Sequence, residues 1–129
     1  MHLKIVTMEQ TLWDEEILSI QAESPTGQFV ILSHHAPLIA MTIPSPTVLT
    51  LSDRQKKILY TGDGILRVLN NEVIFITDQA EWKEALDATG IRAQLATVER
   101  ELTSPGAPTH LKEEKIRLTA QLKTALLPE

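Results

Sequence analysis

Apolar and polar residues alternate along most of the first 77 positions, and that alternation predicts strands. From His2 to Met8, Leu3 and Ile5 flank Lys4 in the period of two expected of a half-buried strand. Glu16 to Glu23 repeats it, with Leu18, Ile20 and Ala22 on one face and Ser19, Gln21 and Glu23 on the other. A slip of one residue would bury those polar groups, so the register is well specified. Beyond the turn Ser24-Pro25-Thr26-Gly27, the apolar run Phe29-Val30-Ile31-Leu32 suits a buried strand and stops at Ser33-His34-His35-Ala36-Pro37. Proline fixes its own φ and biases its predecessor towards extended geometry, so this polar corner should be stiff and exposed. Pro37, Pro44 and Pro46 keep the chain out of helix until short strands at Thr47 to Leu51 and Lys57 to Tyr60, joined by the charged turn Ser52 to Gln55. Gly62-Asp63-Gly64 turns again. Gly64 to Leu69 and Glu72 to Thr77 then form a hairpin across Asn70-Asn71, in which unbroken Val73-Ile74-Phe75-Ile76 reads as a strand covered on both faces.

After Asp78 the period becomes helical. Ile91, Leu95, Val98 and Leu102 recur at steps of four, three and four, and Leu111, Leu118, Leu122 and Ala125 continue the stripe. Ser104-Pro105-Gly106-Ala107-Pro108 interrupts it, and so short a connection sets two antiparallel helices side by side. On the outer surface Glu113 and Arg117 are spaced for an i, i+4 ion pair. The expected fold is therefore a mainly β N-terminal sandwich of about 8–10 short antiparallel strands, followed by a two-helix hairpin. Its expected domains are residues 1–84 and 85–129. Each helical stripe is narrow, so the helices must pack on each other, on the sandwich or on a partner.

Composition narrows the partners. Aromatics make up only 4% of the 129 residues, so Ile, Leu, Val and Ala must build the core. A net charge of −5 argues against nucleic acid or anionic lipid as the main partner, since both select clustered positive charge. The chain has no cysteine, which removes disulfides, thiolate metal sites and cysteine nucleophiles. No apolar run approaches the roughly 20 residues that span a bilayer, and no basic-then-apolar leader opens the sequence. Membrane association is expected only through partners. His2, His34, His35 and His110 stand at no recognisable metal spacing, no serine lies in a nucleophile-elbow context, and the glycines form no phosphate loop. Neither a metal, nor a cofactor, nor catalysis by this chain is expected. His35 reads either as a turn histidine bonded to local backbone or as a contact to a partner.

The segment Gly27-x-x-x-Ile31-Leu32-x-x-His35-Ala36-Pro37-Leu38, then Tyr60-Thr61-Gly62-Asp63-Gly64-Ile65-Leu66-Arg67-Val68 and Asn71 to Ile76, resemble in order the motifs of the epsilon subunit of F-type ATP synthases. The resemblance is clear from Leu3 to about Leu86 and architectural beyond. It implies a non-catalytic central-stalk subunit joining the gamma subunit to the membrane c-ring, on the cytoplasmic or stromal-type face of an energy-transducing membrane. It also implies that Gln28, Phe29, Val30, Ile31, Leu32, Ser33, His34, His35 and Ala36 form the contact to gamma and ring, with Gln28 on the ring side and His35 on the gamma side. This chain has Gln28 and Val30 where members of the family often carry Glu and Gly. The stripe Ile91, Leu95, Val98, Leu102, Leu111, Leu118 and Leu122 then becomes a regulatory arm that can reach the alpha/beta head. Without the resemblance, the same pattern describes a free-standing β-sandwich adaptor whose helical arm binds an unrelated protein.

Some epsilon subunits bind ATP at the hairpin through Ile/Leu-Asp-x-x-Arg-Ala, and the nearest match here is Leu86-Asp87-Ala88-Thr89-Gly90-Ile91-Arg92-Ala93, with the arginine two positions late. At about 100° per residue, two extra helical positions turn Arg92 roughly 200° away from Asp87. A helix starting only at Thr89 or Gly90 absorbs the insertion but moves Asp87 off the helix. The isolated chain is therefore expected not to bind ATP at physiological concentration. Titration calorimetry with ATP and magnesium should show no saturable heat; a millimolar or tighter isotherm abolished by Arg92→Ala would overturn this.

Overall fold

The computed structural model describes residues 1–128. Ten strands come first: β1 (His2–Val6), β2 (Thr11–Glu16), β3 (Ser19–Ser24), β4 (Gly27–Leu32), β5 (Leu38–Thr42), β6 (Ser45–Thr50), β7 (Lys56–Thr61), β8 (Gly64–Leu69), β9 (Glu72–Thr77) and β10 (Ala80–Trp82). A single 3-10 turn, Lys83–Ala85, leads into helices α1 (Ala88–Leu102) and α2 (His110–Leu126). Sheet A has the order β2-β1-β9-β8-β5 and sheet B the order β10-β7-β6-β3-β4. The pairs are antiparallel except β1 with β9, which run parallel with Leu3 opposite Val73 and Ile5 opposite Phe75.

The alternating pattern puts one face of each sheet inside. Leu3, Ile5, Ile20, Ile31, Leu49, Leu59, Leu66, Val68, Val73 and Phe75 fill a single core between the sheets. At one end of the sandwich threonines replace aliphatics, and each hydroxyl finds a partner: Thr47 bonds Thr61 at 2.7 Å, Thr42 donates to the Gly62 carbonyl, and Thr77 donates to the carbonyls of Asp63 and Gln79. Those bonds fix the loops after β7 and β9, and among the described residues no fully buried side-chain polar atom lacks a partner.

Several strands differ from the sequence reading. β2 and β10 were not among the strands that the pattern gave, and the helical period expected after Asp78 begins only at Ala88, because Ala80–Trp82 first pairs with β7. β2 holds Glu16, which the pattern had assigned to the next strand. It forms at the edge of sheet A, where its acids face basic groups across the ladder: Asp14 lies opposite Lys4, Glu16 opposite His2. The Met1 ammonium lies 2.9 Å from Glu16, and that bond holds the Glu16 carboxyl below its ordinary pKa. Ile17, not Leu18, enters the core, because β3 begins only at Ser19; Leu18 is exposed. β5 also forms, since Pro37 and Pro44 both lie just outside it. Phe29 to Leu32 is an edge strand with alternating burial, not a strand buried on both sides, and Val73 to Ile76 likewise buries only Val73 and Phe75 completely. The Asn70-Asn71 hairpin forms as expected, with both residues at positive φ (52° and 61°), a conformation Asn tolerates well.

The two helices pair through a second, separate apolar cluster. Ile91, Val98, Leu111 and Leu118 are buried in it, and Leu86, Leu95, Leu102 and Leu122 pack around them. Asp87 caps α1 by accepting from the Thr89 amide, so the helix starts at Ala88, three residues before the periodic stripe shows it. Arg117 pairs with Glu114 at 3.6 Å, one turn position closer than the expected Glu113. The opposite side of α2 lies on β6 and β7 of sheet B, where Ala120, Gln121 and Thr124 are buried. Gln121 donates to the Glu81 carboxylate at 2.8 Å, and Lys123 reaches Glu23 at 3.5 Å. α2 therefore uses aliphatics against α1 and small or polar residues against the sheet.

Because the two apolar clusters share no residue, a chain ending at Glu84 is expected to fold by itself. It should stay soluble and melt cooperatively, with a lower midpoint because Ile58 and Tyr60 lose their cover under α2. Circular dichroism on the fragment checks this; an aggregated or non-cooperative fragment would mean that the hairpin completes the core.

Candidate functional site

The segment that the sequence singles out runs along the edge of sheet B and around the corner into sheet A. In β4, Ile31 points into the core and Phe29 is half-buried, so only Gln28, Val30 and Leu32 present side chains outward. Val30 is 48% and Leu32 60% exposed. Ser33, His34, His35 and Ala36 are all exposed at the corner. The rigidity of that corner has a source beyond Pro37. His34 sits at φ 65°, its amide donates to the Asn71 side-chain carbonyl at 2.8 Å, and the His35 amide closes the turn on the Leu32 carbonyl. The His35 imidazole donates from Nδ1 to the Ala36 carbonyl at 2.6 Å. Asn71 lies 37 positions away in the β8–β9 turn, and no local pattern marks it as the partner of this corner.

The corner borders a larger surface that the sequence reading did not identify. On the outer face of sheet A the registers line up Met41 with Ile65, Ile65 with Ile76, and Ile76 with Val6, making one apolar row across four strands. The neighbouring row holds Ile39 and Ile74, with Arg67 between them. Ile39, Met41, Ile65 and Ile76 are between 52% and 71% exposed. α2 lies on the other sheet and α1 packs on α2, so no described element covers this face. Single exposed aliphatics are common, but a contiguous apolar patch is the mark of a surface that another protein covers. The signal was present in Val73 to Ile76: an unbroken apolar strand implies two apolar faces, and only one of them is buried within the chain.

The seven stripe residues of the hairpin fall in one apolar cluster in which the two helices face each other, so the stripe is filled by its own partner helix. Asp87 and Arg92 do not share a site. Asp87 caps α1 with its carboxylate, and the cleft it lines with Gly90, Glu81, Gln121 and Arg117 does not include Arg92. Among the described residues, no group of three or more His, Asp or Glu side chains is placed to hold a metal ion, and no helix is long and apolar enough to cross a membrane. What the chain offers is surface: an apolar sheet face, a rigid polar corner beside it, and a helical arm docked on the opposite side.

Residues 1–83 match the sequence model of the family described as ATP synthase, Delta/Epsilon chain, beta-sandwich domain. The chain is 32% identical over 127 residues to the ATP synthase epsilon chain of Dichelobacter nodosus, covering 92% of this chain and 89% of that one. To the ATP synthase epsilon chain of Clostridium perfringens (strain SM101 / Type A) it is 33% identical over 99 residues, covering 76% and 74%. Its fold is similar to a chain in the OSCP/F1/c-ring structure of the Euglena gracilis mitochondrial ATP synthase, with a TM-score of 0.78, 16% identity and coverage of 95% and 75%. A chain in the central stalk/c-ring structure of the Tetrahymena thermophila enzyme matches at a TM-score of 0.58 and 11% identity, covering 96% and 92%. At those identities the solved structures speak for the fold alone.

The corner's anchor is testable without reference to any partner. Asn71→Gly keeps a residue that accepts positive φ but removes the acceptor of the His34 amide. A hydrogen bond of this kind contributes about 1 kcal/mol, so exchange of the His34 amide should speed up about fivefold while the melting temperature changes little. Hydrogen exchange followed by NMR measures it; unchanged protection at His34 would mean that Asn71 does not hold the corner.

Proposed function

The chain belongs to the epsilon-subunit family of F-type ATP synthases, and on that premise we propose that it is a non-catalytic subunit of the central stalk that docks on the gamma subunit and contacts the c-ring. The observation that carries this reading is the uncovered apolar row Val6, Ile76, Ile65 and Met41. A rotor subunit must transmit torque without slipping, and a flat aliphatic face buried against a partner gives a large, stiff contact. The adjoining corner supplies orientation: His34 and His35 are polar, exposed and rigidly held, which suits a directional rim around an apolar centre.

In this reading gamma covers the outer face of sheet A and the corner at His35, while Gln28, Val30 and Leu32 on the edge strand face the ring. Ile31 and Phe29 support the contact from inside and do not touch the partner. The subunit sits as a peripheral protein on the cytoplasmic or stromal-type face, held at the membrane through these partners. The hairpin, with its stripe closed on itself, is the resting form of an arm. Its use in regulating hydrolysis would require the stripe Ile91, Leu95, Val98, Leu102, Leu111, Leu118 and Leu122 to exchange its own partner for the alpha/beta head.

Charge substitutions on the two faces separate the contacts. Residues at the centre of an interface cost about 1–3 kcal/mol or more when altered, which is roughly a tenfold to hundredfold loss of affinity. Ile65→Lys and His35→Ala should weaken binding of purified gamma, whereas Val30→Lys should chiefly weaken association with the ring. All three side chains point outward, so the melting temperature of the isolated chain should hold. Surface plasmon resonance against gamma, with calorimetric melting as the control, is the measurement. Unaltered affinity for gamma in a folded Ile65→Lys variant would rule out the sheet A face as the docking surface.

A further inference from the structure

Between the outer side of sheet B and the first half of α2 lies a cleft of about 730 Å³ that neither the sheet A face nor the corner involves. The sandwich contributes Tyr60, Asp63 and Asp78 to it, and α2 contributes Glu113, Glu114 and Arg117. Its charge is lopsided. Four carboxylates face one guanidinium, and that guanidinium is already paired with Glu114 at 3.6 Å. His110 at the rim adds positive charge only when protonated.

Two features make this more than a cluster of surface acids. Tyr60 is only 1% exposed, and its hydroxyl, which opens on the cleft, has no hydrogen-bond partner among the described residues. Burial and then the negative charge of Asp78 push its pKa above the ordinary tyrosine value, so the hydroxyl stays protonated. With the rest of the side chain enclosed, the hydroxyl can be bonded only from within the cleft, which offers an occupant a hydrogen-bonding group at its floor. The second feature is the backbone that carries the acids. The Asp78 amide donates to the Asp63 carbonyl at 3.0 Å, which ties the two loops together. The Asp78 carboxylate lies across Gly62 so closely that a Cβ there would sit 2.0 Å from its Oδ1. A glycine at this point lets the carboxylate lie where any side chain would displace it.

The character of the occupant follows from what the cleft excludes. Phosphates and other anions are repelled by the unpaired carboxylates. A bare metal ion needs ligands converging within a few ångströms, and the described acids are not grouped that way. An alkylammonium meets both conditions, since it is cationic, its three N–H donors need only hydrogen-bonding reach to carboxylates, and its stem is apolar. Ile43, Pro44 and Ile116 line the same cleft and suit a methylene chain. We propose that this cleft binds an alkylammonium group, either a free polyamine or the lysine side chain of a partner protein, with the carboxylates of Asp63, Asp78 and Glu113 taking the ammonium and the Tyr60 hydroxyl serving as a further hydrogen-bonding group. Bound there, the cation bridges the sandwich and α2, relieving the repulsion of their carboxylates across the cleft. The proposal stands apart from the subunit reading and does not depend on it.

Spermidine titrated into the isolated full-length chain at low salt is the first arm of the test. One-site binding is expected, weakened about tenfold or more by joint Asp63→Asn and Asp78→Asn, reduced by Glu113→Gln and by Tyr60→Phe, and suppressed by added sodium chloride. Glu72→Gln, on the far sheet, should bind as the parent does; an equal loss there would show general charge attraction and overturn the site. Glu113→Gln alters only the surface of α2, so it keeps the test valid even where the double variant misfolds. The second arm applies carbodiimide coupling to the complex purified from cells, with cross-linked peptides mapped by mass spectrometry. Spermidine binding with the expected variant pattern identifies a polyamine site, and a partner lysine coupled to Asp63, Asp78 or Glu113 identifies a lysine socket. Absence of both overturns the proposal.

Discussion

One packing constraint governs the rest of this structure: two sheets pressed face to face bury two of their four faces, and the described residues add one further layer. That layer is the helical hairpin, which lies on sheet B through α2. The outer face of sheet A therefore stays open, although its residues are as aliphatic as those of many cores. Val6, Ile39, Met41, Ile65 and Ile76 cannot be rescued by a register shift, because a slip of one residue would expose Leu66, Val68, Val73 and Phe75 in their place. The exposed apolar face is thus the direct result of strands that are hydrophobic on both sides in a fold that covers only one.

α2 is held unequally on its two sides. Against α1 it packs leucines into a closed apolar seam, and against sheet B it lays Ala120, Gln121 and Thr124 with two polar contacts, Gln121 to Glu81 and Lys123 to Glu23. Apolar burial stabilises by about 25 cal/mol per Å², whereas exposed ion pairs contribute little. The helices are accordingly bound more firmly to each other than to the sandwich.

Most of the architecture was legible in the sequence. The prolines and glycine between the helices and the Asn70-Asn71 turn have local causes and appear where the pattern put them, whereas the helical period expected after Asp78 begins only at Ala88, because Ala80–Trp82 first pairs with β7 as β10. What local pattern could not supply was pairing. β2 is defined by its pairing with β1, which sets Lys4 and His2 opposite its carboxylates, and the corner at His34 gives no hint of Asn71. The candidate site was legible in part for the same reason. The residues from Gln28 to Ala36 do reach the surface at alternate positions and at the corner, but the apolar row beside them is assembled from four strands far apart in the chain. Only the unbroken apolar run at Val73 to Ile76 carried its trace, and that run has two interpretations until the covering elements are known.

The parallel pairing of β1 with β9 has a consequence for how the molecule comes into being. β1 lies inside sheet A, between β2 and β9, so the first strand made cannot take its place until nearly the whole sandwich has been synthesised. Such non-local closure is entropically late, and folds dominated by it form slowly and in one cooperative step. Until β9 arrives, the nascent β1–β2 hairpin carries Leu3 and Ile5 without their final neighbours, which is the state in which a β-rich chain is most open to aggregation or to capture by a chaperone. The topology thus ties the first strand of the sandwich to one of its last, and the core and the bare face beside it both depend on that long-range pairing.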